Sequence, residues 1–303
     1  MISFWLRKFF KTLLYFFVVS QVLYWVWSFL PGDFVDVALK DSASFEEKTL
    51  WKNEFGLSGD TLTRWKNFEY NFYFEKGGRS WSFNRPVFSV ILERIPGSLF
   101  LALWSSLVSL TSVILLSLYA SDKDRLSRRL KQASAFLLGF PIIVIGPFFI
   151  LIFSVYFIKL AILSSSIVFP PLLAVLLLSW TQFLVAFPLF LETVRSLWKQ
   201  PFVIGLRSRG ISLFDIKYKH LFKNLIPLLA TQMAVWFSSV ISGVLILEVL
   251  FEIPGMGKLF QEALLSRDLP LVHALVLTFS GIYIFCFNIA EVVSNKFYPG
   301  RSL

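Results

Sequence analysis

The chain is poor in most of what a soluble catalyst uses. Charged residues make up 16% of its 303 positions, against about a quarter in an ordinary soluble domain. It has one cysteine, Cys286, and two histidines, His220 and His273. A lone cysteine excludes an internal disulfide framework and any C-x-x-C metal or redox motif. Neither histidine has a His or Cys neighbour at metal-ligand spacing, so no metal site is assigned. No G-x-S-x-G occurs. "GMGKL" at 255–259 fails as a phosphate loop, because Glu252 stands where the first glycine is needed and Leu259 follows Lys258. No catalytic residue is assigned, and no cofactor is expected in this chain.

What remains is apolar: 56% hydrophobic and 18% aromatic, with a mean hydropathy of +0.69. A membrane-spanning helix needs about 20 apolar residues with few charges. Six stretches meet that demand: Thr12–Leu30, Ile95–Ser121, Gln132–Ile158, Leu160–Leu191, Leu225–Leu247 and Leu269–Ala290. Pro170 and Pro171 mark a helix start in the fourth, since proline suits a first turn. None alternates polar with apolar residues as a barrel strand does. The expected fold class is therefore all-α and integral to the membrane, with six transmembrane helices. Arg7, Lys8 and Lys11 before the first run resemble a signal peptide, but "SFLPGD" offers no A-x-A-like cleavage site, so an uncleaved anchor is expected.

Basic residues set the orientation. With the N-terminus cytoplasmic, the inside segments 1–11, 121–131, 192–223 and 291–303 hold 17 of the 29 basic residues and 5 of the 19 acidic ones. Both termini are then expected in the cytoplasm, and the formal charge of +10 is a topology signal that requires no nucleic acid.

The 31–94 segment is expected outside. Ser44 and Glu47 have capping-box spacing, with Gly56 placed to close that helix. Thr61–Phe74 carries Trp65, Phe68 and Phe72 at helical spacing. The pair reads either as an amphipathic hairpin lying over the bundle or as a docking surface for an external partner. The spans themselves lack charge: Glu192, Glu248 and Glu291 fall at helix ends, where an interface can solvate them. That weakens the case for ion-coupled transport, which uses ionisable groups at depth. Thr181, Gln182, Gln232 and Asn288 read either as helix–helix hydrogen bonding or as a substrate path.

Between the fourth and fifth runs lies "SRGISLFDIKYKHLFKNLIP", residues 208–227. Pro201 can start a helix and Gly210 can stop it in a left-handed conformation. Ser212, with Asp215 three positions on, then reads as the cap of a second helix. The result is a helix–glycine–helix bracket, with an expected apolar tip at Phe202 and Leu206 and a solvated Lys217. A basic loop lying on anionic membrane lipid is the other physical reading.

Gly210, His220, Asn224 and Pro227 resemble the EAA loop of binding-protein-dependent ABC importer permeases, and more narrowly the first permease subunit of the dipeptide/oligopeptide/nickel type. The resemblance spans the chain. It includes "FLPGD" at 29–33, "FGLSGDTLTRW" and "GGRSWSFNRPVFSVILERIPGSLFLAL", and "EVLFEIPGMGKLFQEALLSRDLPLV" from Glu248 to Val272.

The resemblance implies a permease bundle divided into residues 1–30 (N-terminus and first helix), an external insert over 31–94 and a core over 95–303, with the coupling loop at 192–223. The coupling loop would carry Phe202, Leu206, Arg207, Gly210, Asp215, His220, Asn224 and Pro227. The external loop motif would carry Pro254, Gly255, Gly257, Arg267 and Asp268. The implied partners are a second permease subunit, two ATP-binding subunits that hold ATP and Mg, and an external substrate-binding protein, in a bacterial cytoplasmic (inner) membrane. Where the family pattern has E-A-A, this chain has Ile204, Gly205 and Leu206, so the glutamate's role is not carried over. Peptides, nickel chelates and other small solutes all fit the family. A stand-alone secondary transporter or channel, or a membrane scaffold, remains the rival reading.

Overall fold

A computed structural model describes residues 2–39, 43–74, 78–156, 169–226, 229 and 243–297. Among these, the regular structure is helical apart from a single antiparallel bridge between Arg79 and Pro86. It divides into two compact units that do not follow chain order: residues 1–98 with 254–284, and residues 99–253 with 285–303.

In the first unit, α1 (Ile2–Ser28) is followed by α2 (Phe34–Leu39), α3 (Phe45–Glu54) and α4 (Thr61–Phe74). The insert's helices start where their caps dictate. The Asp33 amide donates to Asp36 Oδ2 at 3.0 Å and the Asp36 amide to Asp33 Oδ1 at 3.1 Å, a reciprocal cap for α2. Ser44 Oγ accepts from the Glu47 amide at 3.2 Å, opening α3, and Gly56 follows that helix at φ +67°. Lys52 on α3 lies 2.8 Å from Asp33 and ties α3 to α2. Burial alone would raise Asp36, but the Asp33 amide and Lys52 outweigh it, and the carboxyl sits below its ordinary value.

The periodicity of α4 decides its packing. Phe68 and Phe72 turn into a cluster with Trp27, Val90, Leu259 and Leu271. Polar neighbours on α4 meet a polar notch in α1. Tyr73 donates to Ser20 Oγ at 2.9 Å, and Trp65 Nε1 donates to Gln21 Oε1 at 3.0 Å. Gln21 Nε2 in turn donates to Glu69 Oε1 at 2.9 Å. Burial pushes the Glu69 carboxyl above its ordinary value despite those donors. His273 is fully buried, 3.0 Å from Ser20 Oγ and edge-on to Phe68 and Phe72.

The second unit takes most of α5 (Val87–Ala120), then α6 (Asp124–Leu138), α7 (Ile142–Tyr156), α8 (Phe169–Trp198) and α9 (Pro201–Ser208). A further helix, α10, runs through Leu213–Asp215, the π-turn Ile216–Leu221 and residues 222–226. Residues 243–250 form α11. The first unit is completed by α12 (Met256–Leu265) and the start of α13 (Leu269–Phe297).

Among the described residues, four helices are long and apolar enough to cross a membrane, Phe10–Ser28, Val87–Ala120, Pro171–Trp198 and Leu269–Ile289, and the bent pair α6–α7 makes a fifth if it is one span. The chain is thus a multi-pass membrane protein. The expectation of one uninterrupted third span over Gln132–Ile158 is corrected, because α6 and α7 meet at 93°. Pro141 has no amide to donate and disfavours helix in the residue before it, so α6 ends at Gly139 and the chain turns. The fifth expected span, Leu225–Leu247, lies largely outside the described residues. A second correction concerns Glu248, whose side chain is fully buried and not solvated at an interface.

Candidate functional site: the 192–226 bracket and the 254–272 loop

The bracket is built as its caps direct. Gln200 is extended and Pro201 occupies the first turn of α9. Gly210 turns the chain at φ +75°, a conformation that L-residues adopt only under strain. Ser212 then caps α10, accepting from the Asp215 amide at 3.1 Å. One surface of each arm is apolar and buried: Val203, Ile216, Leu221 and Leu225 join Leu118, Phe190 and Val194 in one cluster. Each such side chain, removed from water, contributes about 1.5–3 kcal/mol.

Charges lock the same joint. Lys217 Nζ lies 2.7 Å from Asp122 in the short 121–123 turn, with its side chain only 12% exposed. It also sits 5.3 Å over the Trp198 ring, while Arg207 from the other arm sits 4.5 Å from that ring. Trp198, the last residue of α8, therefore holds both arms by cation–π contact. Asp124 pairs with Arg195, and Lys131 pairs with Glu192 at 3.1 Å, so α6 braces α8 just before the bracket begins.

Several sequence-based expectations are refined here. Lys217 is not on a solvated face. Leu206 packs inward against the buried cluster, whereas Ile204, Leu213 and Phe214 join Phe202 as exposed apolar side chains. Arg209, His220 and Asn224 line a groove of about 360 Å³ with Phe202, Gly205, Leu206 and Lys223. Asn224 Nδ2 donates to the His220 carbonyl at 3.0 Å. Pro227 lies outside the described residues.

The second constellation lies in the first unit and converges on Asp268. This carboxylate is fully buried. Its Oδ2 accepts from Ser80 Oγ at 2.5 Å, Ser82 Oγ at 2.7 Å and the Ser82 amide at 2.9 Å. Its Oδ1 caps α13 through the Leu271 amide at 3.1 Å. Arg267, at φ +58°, donates to the Gly32 carbonyl at 3.2 Å. Gly255 caps α12, and the Met256 amide donates to Ser98 Oγ at 2.8 Å. A Cβ on Gly97 would lie 2.5 Å from the Pro254 carbonyl, so only glycine admits that approach. Gly257 is buried in α12. The "FLPGD", "GGRSW", "IPGSL" and 254–272 stretches thus interlock. Sequence reasoning singled out Pro254 and Asp268 but not Ser80 and Ser82, which donate to Asp268, nor Gly97 and Ser98, which meet Pro254 and Met256. It also missed Trp198 and Asp122 at the bracket.

The whole chain, and not only these two regions, is similar to known proteins. The chain is 24% identical over 285 residues to a putative peptide transport system permease protein of Brucella suis biovar 1, covering 88% of each chain. It is 27% identical over 293 residues to the nickel import system permease protein NikB of Staphylococcus aureus strain MRSA252, covering 95% of this chain and 88% of the relative. A family model matches residues 113–299, more than half of the chain, and the protein accordingly belongs to the binding-protein-dependent transport system inner membrane components.

Proposed function

We propose that this protein is one permease subunit of an ATP-binding cassette importer. It contributes half of the translocation pathway for peptides or related small solutes delivered by an external binding protein. Separate ATPase subunits, which hold ATP and Mg, drive it through the 192–223 bracket, and a second permease completes the pore. The insert faces outward and both termini face the cytoplasm, as the basic residues require.

The observation that carries this reading is the Trp198 joint. A segment that transmits force must move as one body with its helix, and here both arms are clamped to the end of α8 by Arg207 and Lys217. The apolar side chains Ile204, Leu213 and Phe214 remain exposed beyond that clamp, available to a partner's cleft. A loop lying on anionic lipid needs basic side chains but no such clamp. Co-expression of the neighbouring transporter genes, followed by affinity capture of this chain, tests the assignment. ATP-binding subunits should co-purify with it and be lost from an Ile204→Asp/Phe214→Asp double variant that still inserts. Solute uptake by the chain alone, without ATPase subunits, would instead establish a stand-alone carrier.

A further inference from the structure

The first unit holds a cavity of about 600 Å³, beside the Asp268 constellation and sharing Gly32 and Ser80 with it, within the size range of small-molecule sites. It is bounded by the end of α1, the α2–α3 segment, α4 and the 78–84 turn. Its floor follows from α4: while Phe68 and Phe72 serve the core, Arg64, Asn67 and Asn71 stand at i, i+3 and i+7 along that helix and all three line the cavity. Trp27 and Trp81 supply apolar wall.

The polar groups there are open to a ligand: Glu54, Asn67 and Asn71 are exposed, and Arg64 is half-buried. Arg64 Nε is buried without a hydrogen-bond partner, and among the described residues the guanidinium makes a single, long hydrogen bond of 3.4 Å, to Thr61 Oγ1. No carboxylate among the described residues pairs with it. The amides of Asn67 and Asn71 make no side-chain hydrogen bond among the described residues. Two acidic residues also line the cavity. Asp33 is neutralised by Lys52 at 2.8 Å, whereas Glu54 has no ion pair among the described residues. A single cavity therefore presents an unpaired cation, an unpaired carboxylate, two free amides and indole surface.

We propose that this cavity is a binding site for a short free peptide. Arg64 receives the terminal carboxylate and Glu54 the terminal ammonium. Asn67 and Asn71 pair with peptide N–H and C=O groups, each amide supplying both a donor and an acceptor. A segment inside a folded partner protein has neither terminus and satisfies only the amides. The substrate class rests on the importer reading above; the site itself rests on the cavity.

Equilibrium dialysis of labelled trialanine against the full chain in lipid nanodiscs tests it, with C-amidated and N-acetylated trialanine as comparators. Wild type should bind trialanine and lose at least about tenfold in affinity for the C-amide, equivalent to about 1.4 kcal/mol. Arg64→Gln should show the same loss for trialanine and no further loss for the C-amide, because the interacting pair is already broken. Glu54→Gln should behave likewise toward the N-acetyl peptide. No trialanine binding by wild type, equal affinity for all three peptides, or an Arg64→Gln loss that persists undiminished with the C-amide overturns the proposal. The ligand-side comparisons use wild type, so a folding defect in a variant does not obscure them. Trialanine binding without co-purifying ATPase subunits would sink the importer reading and leave the site intact; the reverse outcome would do the opposite.

Discussion

Two glycines in the bracket, five residues apart, should respond oppositely to the same substitution. A Cβ added at either Gly205 or Gly210 meets no atom within 4 Å, so crowding plays no part. Gly205 lies inside α9 with ordinary helical geometry, whereas Gly210 sits at φ +75°. Gly205→Ala should stabilise α9 by about 0.5–1 kcal/mol, because alanine loses less backbone freedom on forming helix. Gly210→Ala should cost about 1–2 kcal/mol, the price of holding an L-residue left-handed. Gly210→Val, β-branched as well, should reach the upper part of the roughly 1–3 kcal/mol range for backbone strain. The chain can relieve that strain only by opening the turn, which swings Leu213 and Phe214 away from Ile204. Substrate uptake and co-purification of ATP-binding subunits, normalised to membrane-inserted protein, are the readouts. Gly205→Ala should keep both, Gly210→Ala should weaken both, and Gly210→Val should abolish uptake. If Gly210→Val transports as well as Gly205→Ala, the bend is not what positions the bracket.

Four further outcomes are expected. Asp268→Ala strips Ser80, Ser82 and the α13 cap of their acceptor and should destabilise by about 3 kcal/mol, since hydrogen bonds to a charged group contribute about 1.5–3 kcal/mol each; thermal unfolding in detergent reads this, and Asp268→Asn should retain part of it. Lys217→Ala removes the Asp122 pair and a Trp198 contact and should cost about 1–2 kcal/mol, with Lys217→Arg closer to wild type in the same assay. Burial holds the Glu69 carboxyl above its ordinary pKa, so the folded state binds the proton more tightly than the unfolded chain. That contribution to stability is complete below the usual carboxylate range, about pH 4.3, and is lost as pH rises through the folded value; Glu69→Gln should flatten the dependence and be at least as stable as wild type at neutral pH. In a Cys286→Ser background, an impermeant thiol reagent should label Ser58→Cys from outside intact cells and leave Ser208→Cys unlabelled, and labelling of the latter would reverse the orientation.

The sequence by itself determined whatever depends on neighbours along the chain. Apolar run length marked the spans because lipid offers backbone groups no partner but their own helix. The Pro201 start, the Gly210 bend and the Ser44 and Ser212 caps are legible for the same reason: each satisfies backbone groups within three or four residues of itself. The 93° break at Gly139–Pro141 carried the same kind of signal, a glycine and a proline two residues apart, masked by the apolar run around them. Tertiary structure alone decided what depends on partners far away in the chain. Lys217 reads as solvated until Asp122, 95 positions earlier, is brought within 2.7 Å. The resemblance places Asp268 in an external loop motif, and only the fold brings Ser80, 188 positions earlier, to donate to it in a buried setting. Leu206 and Ile204 are equally apolar in sequence, and only the packing of α9 buries one and leaves the other exposed. Helix periodicity gave Lys217, Leu206 and Ile204 a face, but only the fold determined whether that face met solvent, a packed core or a charge of opposite sign.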